Sequence, residues 1–461
     1  MLGISISFVK RQRKSAMDIL NVLFYLFAGI STLYILHFGL YLVGANFYDI
    51  WQYKRFMRKF SHTSAEKQSV GIADLTIGTF YTPEIEGLVT VAIPAHNEEL
   101  TIARCLDSIR KSTYKKLEVL VADDCSTDKT AEIVEKYIKR YPKMNLKIYT
   151  LNQQSGKGEA LNVILRTHAN GELAMTLDAD SIIQPDTIKN AVEYFEDQKV
   201  IGVAANVQIL AEPTILGTLQ KFEHMISYRS KKTHSWLNCE FVVGGVASTY
   251  RMRILREVGF YDTDTVTEDI GLSIKITNRG NRDERLVYGS NVVAMTEGVM
   301  TFRALAKQRY RWKYGSLQNI IKYRHLLFNY QYLYTTALTF YRLPVAVLGE
   351  FILLLSPLAW MYAIYMILTQ FNPDLIIGSY LTITAYVLVV LWFDENLSFR
   401  SRSHLTLYAP IAYFIFYIMD LVQLIAVIRC ALKAPDLINQ KSTGSIWISP
   451  KRTNKGLAAL K

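Results

Sequence analysis

The chain has 461 residues, half of them hydrophobic, and a formal net charge of +12. Its length allows one large catalytic domain plus further segments, and a mean hydropathy of +0.12 is high for a purely soluble protein. The charge suits a nucleic acid, an anionic membrane or a phosphate-bearing substrate. Because the sequence carries no zinc-type or RNA-binding signature, we expect no nucleic-acid partner. The four cysteines lie far apart with no paired spacing, so the sequence implies neither a disulfide framework nor a zinc site.

An apolar run near the start of the chain predicts a membrane anchor. Residues 18–48 are long enough for one spanning helix with some tilt. A cleavable signal peptide fits poorly, because the run is too long and no small-residue cleavage site follows it. Basic clusters at 10–14 and 54–59 flank the run on both sides, so the positive-inside rule leaves its orientation open.

Three further apolar runs, at 344–368, 375–393 and 405–428, predict membrane helices near the other end. Arg400 and Arg402 place the loop between the last two runs in the cytosol, yet the tail after the last run is basic as well. Both cannot be cytosolic if the last run crosses fully, so one segment is interfacial or re-entrant. The sequence thus divides into an anchor at 1–60, a catalytic domain at 61–300, interfacial helices at 301–343, membrane helices at 344–432 and a basic tail at 433–461.

The middle of the chain alternates short valine- and isoleucine-rich runs with helical periodicity. This βαβ repetition predicts a mostly parallel α/β sheet covered by helices, with ligands at the carboxyl ends of its strands. The predicted strands are 89–94, 117–122, 146–151, 173–177 and 200–205, and the predicted helices are 100–111, 129–140, 158–166 and 185–196.

Polar sequences follow the first two predicted strands, IPAHNEE and VADDCSTDKT. Carboxylate and amide groups at strand ends can bind a ribose or the edge of a base. Alternatively, Asn97 and Asp128 simply cap the helices that follow. No G-x-G-x-x-G motif follows the first strand, which argues against a nicotinamide-dependent dehydrogenase.

Two motifs in the next loops suit a diphosphate and a metal. The Gly-Lys-Gly turn in NQQSGKGEALN, at a predicted helix start, offers backbone donors and a cation to phosphate, although its spacing is not that of a Walker A loop. In TLDADS, Asp178 and Asp180 would share one face of a regular strand. Together with diphosphate oxygens they suit Mg²⁺ or Mn²⁺; a solvated Asp-rich turn is the alternative.

Two later motifs complete the set. The sequence VTEDIGLS presents Glu268 and Asp269, which could otherwise be a solvated helix cap. In KQRYRWKYG, Gln308, Arg311 and Trp312 share one face of a predicted helix. That helix is basic and leads towards the membrane, so lying at the interface is its simplest role and is compatible with a functional one.

In their order, these motifs resemble the processive family 2 glycosyltransferases, which include the cellulose, chitin, hyaluronan and poly-N-acetylglucosamine synthases. The family pattern is an early Asp, a D-x-D, a T-E-D and a Q-x-x-R-W, found here at Asp124, 178–180, 267–269 and 308–312. The likeness runs from about residue 89 to 312 and extends to the flanking membrane helices. In tail, size and anchor, the members that make poly-β-1,6-N-acetylglucosamine are most similar.

The resemblance implies a GT-A-like fold, inversion at the anomeric carbon, a UDP-sugar donor, a glycan acceptor and a divalent metal. It also implies a multi-pass protein of the cell membrane with a cytosolic catalytic domain, and leaves room for an accessory membrane subunit. Asp269 would be the general base, beside Glu268. Asp178 and Asp180 would hold the metal, with Asp178 also touching the nucleotide. The remaining substrate-binding residues would be Pro94, Asn97, Glu98, Asp124 and Lys157 at the uridine diphosphate end, Gly245 of VVGG beside the acceptor path, and Gln308, Arg311 and Trp312 at the diphosphate and acceptor end. Trp447 would belong to the tail motif of the bacterial members.

Four positions depart from the family pattern. Cys125 and Gly244 replace a usual glycine and serine, while Gly271 and Val299 replace a usual acidic residue and proline. None removes a proposed catalytic group. The sequence therefore predicts transfer of a sugar, N-acetylglucosamine first, to a growing polysaccharide. Alternatives are another polymer of the same group, a non-processive transfer to a lipid-linked acceptor, and a membrane scaffold that binds the donor without turnover.

Overall fold

The structure is a computed structural model that describes residues 2–66, 87–210, 214–370, 373–394, 397 and 399–439. Trp447 and most of the predicted basic tail lie outside the described residues. So does the stretch 67–86 at the start of the predicted catalytic segment.

An eight-stranded sheet forms the centre of the segment predicted to be the catalytic domain (hereafter the catalytic unit), with strand order β3-β2-β1-β4-β7-β6-β8-β5. Its strands are rich in valine, isoleucine and alanine because both faces are covered by helices. The strands are β1 (Val89–Ala95), β2 (Leu117–Asp123), β3 (Leu146–Thr150), β4 (Leu173–Thr176), β5 (Ile182–Ile183), β6 (Val200–Leu210), β7 (Ser248–Arg251) and β8 (Arg285–Glu297).

The sheet is mostly parallel. β1 pairs in parallel with β2 and β4, β2 with β3, and β6 with β8, whereas β7 is antiparallel to β4 and β6. Since β1 has parallel neighbours on both sides, the carboxyl ends of β1, β2 and β4 open at one edge, where such sheets bind ligands. The predicted GT-A-like α/β class is confirmed.

Amphipathic helices cover the two faces of this sheet. α2, α3 and α5 pack on one face, and α4, α6, α7 and α8 on the other. The helices of this unit are α2 (Ile102–Arg110), α3 (Thr130–Arg140), α4 (Lys157–Thr167), α5 (Thr187–Tyr194), α6 (Ile215–Trp236), α7 (Met252–Val258), α8 (Glu268–Asn278) and α9 (Phe302–Lys322).

Long apolar helices flank the catalytic unit at both ends. Three stretches are long and apolar enough to cross a membrane, namely Leu20–Lys54, Ala337–Thr369 and Ala409–Leu432, and Ile376–Trp392 is shorter. The helices involved are α1 (Leu2–Glu66), α10 (Leu343–Gln370), α11 (Asp374–Trp392), α12 (Phe399–Thr406), α13 (Ala409–Leu432) and α14 (Ala434–Ile438). This apolar character associates the chain with a membrane.

The second half of α1 is fixed to the catalytic unit. Tyr48 is 0% exposed and its hydroxyl donates to the backbone oxygen of Tyr288. One turn later, Gln52 donates to the hydroxyl of Tyr194 at 2.8 Å. The sheet therefore packs against the carboxyl-terminal half of α1.

The last apolar helix meets the catalytic unit at several points along its length. Met419 packs with the start of α6, and Cys430 packs against Tyr314 of α9. The end of α11 also meets this unit, where the Arg229 guanidinium lies 5.7 Å from the ring of Phe393. α13 is long enough to cross a membrane, and it packs against both α6 and α9.

Candidate active site

Loops from neighbouring strands meet at the open edge of the sheet. The loop after β2 carries Asp124, which is 0% exposed. Its Oδ1 accepts from the Ser155 N–H at 2.7 Å and the Ser155 hydroxyl at 3.0 Å, and its Oδ2 accepts from the Gly156 N–H at 2.8 Å. Gly156 has φ +88°, a conformation that L side chains rarely adopt, and α4 begins at the next residue. Asp124 thus fixes the conformation of the Gly-Lys-Gly turn through these hydrogen bonds.

The loop after β1 is tied to the loop after β2. The Asn97 Oδ1 accepts from the backbone N–H of Thr127 at 2.8 Å, and Asn97 itself is exposed with φ +56°. Pro94 lies buried within β1, and Glu98 is buried with its carboxylate accepting from the Thr101 hydroxyl at 2.7 Å. Pro94 and Glu98 therefore support the loop from its buried side, and Asn97 lies on its exposed side.

The two helix-cap alternatives have different outcomes. α2 begins five residues beyond Asn97, at Ile102, so Asn97 does not cap it. Asp128, in contrast, accepts from the Thr130 N–H at 2.9 Å, where α3 begins, although the N-cap residue itself is Lys129.

A cation and three carboxylates lie together beside the turn. The Lys157 Nζ is 2.7 Å from Asp178 Oδ1 and 3.2 Å from Glu268 Oε1. A Cβ added to Gly245 would lie 2.9 Å from that Nζ and 3.7 Å from Asp269 Oδ2, so a side chain there would fill the cleft. Burial alone would lower the pKa of Lys157, but Asp178, Glu268 and Asp269 raise it above its ordinary value.

Asp269 has the chemistry of a proton acceptor near neutral pH. Burial in the cleft, then the charge of Glu268, raise its pKa from 3.8 to about 6, against the lowering effects of Lys157, the Ile270 N–H and Arg311. A carboxylate whose pKa lies just below neutrality is ionised at pH 7 and retains basicity, as a general base requires.

The D-x-D residues do not share a strand face, and that expectation was wrong. β4 ends at Thr176, so Asp178 and Asp180 lie in the turn that follows. Asp178 faces Lys157, whereas Asp180 Oδ1 accepts from the Ser181 hydroxyl at 2.9 Å and the Thr296 hydroxyl at 3.4 Å. The strand ends early because the chain turns here to start β5.

The turn has oxygens suited to a hard cation. Asp178 Oδ1 is buried and, among the described residues, accepts no hydrogen bond of good geometry despite its ion pair with Lys157. No group of three or more His, Cys, Asp or Glu side chains is arranged as a metal site in the part of the chain that the structure describes. Asp178 and Asp180 could hold a divalent ion if a diphosphate supplied the other oxygens, which fits their chemistry.

The Q-x-x-R-W motif lies on α9, which packs against Thr267 at the start of α8. Gln308 and Trp312 are partly buried and Arg311 is exposed, and the charge of Arg311 reaches Asp269, whose pKa it lowers. The structure therefore brings six of the predicted residues to one cleft: Lys157, Asp178, Gly245, Glu268, Asp269 and Arg311. Pro94, Glu98 and Asp124 are buried in the loops and strand that support this cleft, and Asp180 lies at the far end of the turn after β4.

Sequence reasoning missed Arg309. Its guanidinium lies 4.3 Å from the Trp312 ring centroid and pairs with Glu223 of α6 at 2.6 Å, and it is almost fully buried. The ion pair and the cation–π contact hold the indole from one side. The available signal was the i, i+3 spacing of Arg309 and Trp312 on one helix.

Two departures from the family pattern have a local physical reason. Cys125 has φ +61°, the left-handed region that favours the usual glycine, and the loop accommodates a thiol there instead. Val299 donates its N–H to the side chain of Gln220 at 3.0 Å and accepts from it at 3.0 Å. The usual proline has no N–H and could not make the first of these bonds.

Comparison with known proteins agrees with this geometry. Residues 90–259 match the family model described as glycosyl transferase family 2. The poly-beta-1,6-N-acetyl-D-glucosamine synthases of Staphylococcus epidermidis and Staphylococcus aureus are each 30% identical over 241 residues, which are 52% of this chain and 57% of theirs. The chain thus spans just over half the length of the curated relatives it matches.

A solved structure shares the fold over most of the chain. The mannosyltransferase PcManGT from Pyrobaculum calidifontis, in complex with GDP-Man and Mn²⁺, has a TM-score of 0.52 at 20% identity and covers 85% of this chain and 98% of its own. At that identity the likeness concerns the fold alone. The predicted enzyme class is therefore supported at the level of a domain, because residues 90–259 match the glycosyl transferase family 2 model.

Proposed function

We propose that this chain is a membrane-bound, inverting β-glycosyltransferase that adds sugars from a UDP-sugar to a growing polysaccharide. The observation that carries the proposal is the meeting of Lys157, Asp178, Glu268 and Asp269 in one cleft. This cluster joins a cation suited to a diphosphate with a carboxylate of near-neutral pKa. N-acetylglucosamine is the first candidate sugar, because it is the sugar named for the relatives that are 30% identical.

The uridine diphosphate end of the donor would lie over the strand ends. Asn97 would face the nucleoside, and Asp124 would act by ordering the turn that leads into α4. α4 begins at Lys157, so the positive end of the helix and the ammonium group would both favour the diphosphate. Pro94 and Glu98 would support this surface from within.

Asp178 and Asp180 would hold the divalent cation, Mg²⁺ or Mn²⁺. Such an ion, when bound, offsets negative charge on the leaving diphosphate. Lys157 and Arg311 would add positive charge from the two sides of the cleft. Since Lys157 already neutralises Asp178, binding of the metal and diphosphate would shift this ammonium from the carboxylate to phosphate oxygens.

In the proposed step, an acceptor hydroxyl attacks the anomeric carbon from the face opposite the diphosphate. The glycosidic C–O bond forms as the bond to the β-phosphate oxygen breaks, and UDP leaves with that electron pair. Asp269 accepts the hydroxyl proton, a contribution of about 10²–10⁴ in rate. Glu268 would assist electrostatically, because it raises the pKa of Asp269 and pairs with Lys157.

The acceptor would enter between the loop at Gly245 and α9. Gly245 leaves room beside Asp269 for a sugar hydroxyl. Trp312, held by Arg309, would stack on the terminal sugar, and Gln308 would share that face of the helix.

The catalytic domain would face the cytosol from a multi-pass anchor. Arg402 donates to the Asp394 backbone oxygen, and Asp394 lies beside Arg229 of the catalytic unit, so the basic loop and this unit lie on one side. Positive charge marks the cytosolic side of a membrane protein. We accordingly propose residues 61–300 as the catalytic domain, 301–343 as interfacial helices, and 1–60 and 344–432 as the membrane segments.

A panel of UDP-sugars, with Mg²⁺ or Mn²⁺, tests the proposal on membranes that carry the chain. We expect UDP release with UDP-N-acetylglucosamine and a long product that a β-1,6-specific hydrolase digests. A product with a single sugar added to a lipid would instead support the non-processive, lipid-linked alternative. Donor binding without UDP release from any sugar would overturn the proposal in favour of a scaffold.

A further inference from the structure

Beyond Trp312, α9 packs closely against the chain segment that leads to Asp269. A Cβ added to Gly315 would collide with the side chain of Thr267. A Cβ added to Gly271 would lie 3.1 Å from Asn319 Oδ1, tighter than ordinary contact. Two glycines, one on each helix, therefore permit α8 and α9 to approach at this point.

Two neighbouring amides of α9 bind the backbone of 264–267 across this contact. Gln318, 3% exposed, accepts from the Val266 N–H at 3.1 Å and donates to the Asp264 backbone oxygen at 3.0 Å. Asn319, 0% exposed, donates to the backbone oxygen of Thr267 at 3.3 Å and to its hydroxyl at 3.2 Å. This segment immediately precedes Glu268 and Asp269.

These bonds take the place of an ordinary helix cap. Thr267 is the N-cap residue of α8, but its side chain makes no capping hydrogen bond to that helix, and the Asn319 amide binds its hydroxyl instead. A capping side chain would have fixed the start of α8 from within its own segment. Here the start of the helix that carries Asp269 is fixed from α9.

The same contact explains the departure from the family pattern at Gly271. An acidic side chain there would meet the Asn319 Oδ1 and the Thr265 hydroxyl oxygen, each 3.1 Å from its Cβ. A carboxylate beside a buried amide oxygen is repulsive, since two acceptors would face each other. Gly271 therefore avoids a close contact with Asn319 and Thr265 that a side chain at this position would make.

An ion pair extends the attachment by one further turn. The Lys322 Nζ lies 2.7 Å from Asp262 Oδ2 and 2.9 Å from Asp264 Oδ2. Asp262 also pairs with Lys275 of α8 at 2.7 Å. α9 thus holds the whole 262–267 segment, from its acidic start to the N-cap of α8.

We propose that Gln318 and Asn319 are positioning residues that hold Asp269 at a fixed place relative to Arg311 and Trp312. The inference rests on the proposed function, because it gives this fixed geometry a use. α9 would carry the groups for the diphosphate and the acceptor, and its two amides would set the base against them. Asp269, Trp312 and Arg311 would then keep fixed positions relative to one another.

The variants Asn319→Leu and Gln318→Leu test this, with Ser316→Ala as the matched control. Leucine branches at Cγ as asparagine does, has one side-chain heavy atom fewer than glutamine, and removes the hydrogen bonds of both amides to 264–267. Ser316 lies on the same turn of α9, is partly buried, and makes no side-chain hydrogen bond in the described part of the chain. Two readouts are taken on the full chain in detergent: hydrogen exchange of the 264–270 backbone, and steady-state UDP release with donor affinity.

We expect exchange at 264–270 to rise about tenfold or more in both leucine variants, the effect of losing buried hydrogen bonds. We also expect kcat to fall about tenfold or more while the Kd for UDP stays within about threefold, because geometry at the base is lost and donor contacts are kept. The Ser316→Ala variant should match the wild type in both.

Unchanged exchange at 264–270 would overturn the inference whatever the turnover, since the amides would then not hold this segment. Faster exchange with wild-type kcat would overturn it as well, because the attachment would then be structural only. Failure of the proposed function is distinct, as it would show as no UDP release by the wild type.

Discussion

An Asp269→Asn variant removes the carboxylate that we propose as the base and keeps the shape of the side chain. The asparagine oxygen can still accept from the Ile270 N–H, which lies 2.8 Å from Asp269 Oδ1. Without a proton acceptor, turnover should fall by about 10²–10⁴. Donor affinity should change little, because Lys157 and Asp178 remain in place.

The same variant should stabilise the fold, and the pH dependence of that gain follows from the pKa of Asp269. This pKa is raised from 3.8 to about 6 in the folded protein. The neutral form thus contributes stability that is fully present below pH 3.8 and is lost as the pH rises through 6. A shift of this size corresponds to about 3 kcal/mol at most, and partial solvent screening of the half-buried group reduces it to about 1–3 kcal/mol. The asparagine variant escapes this loss.

Thermal unfolding in detergent at pH 4 and pH 8 provides the measurement, together with UDP titration and turnover. We expect nearly equal melting temperatures at pH 4 and a higher one for the variant at pH 8. Normal turnover would remove Asp269 from the base role. A variant that is no more stable than the wild type at pH 8 would refute the account of a carboxylate raised in pKa by burial.

Three further variants test the surrounding contacts. Lys157→Met removes a charge that lowers the pKa of Asp269, so the acid limb of kcat/KM should move to higher pH; an unmoved limb would contradict that coupling. Asp124→Ala leaves the N–H groups of Ser155 and Gly156 without their acceptor, which should lower the free energy of unfolding by about 1–3 kcal/mol for each group. The variant should also bind UDP more weakly in calorimetry. Wild-type affinity would show that the turn needs no such support. Arg309→Met should raise the KM for the acceptor, and it should lower the melting temperature because the Glu223 carboxylate loses its partner. Adding Glu223→Gln should restore the melting temperature but not acceptor binding. Recovery of both would mean that Trp312 needs no cation beside it.

Much of the architecture is encoded locally. The strand at Val89–Ala95 is buried throughout, and the run of valine, isoleucine and alanine that predicts it would fit poorly in any exposed segment. The helices after it begin and end within a few residues of their predicted bounds, because their apolar spacing has one consistent period. Motif order also predicts which loops carry polar groups, since these follow the carboxyl ends of parallel strands.

Other features depend on groups that are distant in the chain. The predicted strand at 173–177 ends within one residue of the observed β4, but nothing in that stretch predicts that the turn after it directs Asp178 towards Lys157, more than twenty residues earlier in the chain. The orientation of α13 likewise depends on its contacts with α6 and α9, as length and hydropathy alone make it a candidate to cross the membrane.

The sequence by itself determines the α/β layers, the apolar helices at both ends and the identity of the polar groups at the strand ends, because each follows from periodicity and residue type within a short stretch. Only the tertiary structure decides that Glu268 and Asp269 meet Lys157 from more than a hundred residues away, and that Gln318 and Asn319 hold the segment before them. Burial and neighbouring charge also decide the pKa of Asp269. These are properties of packed surroundings, and a linear pattern of residues does not contain them.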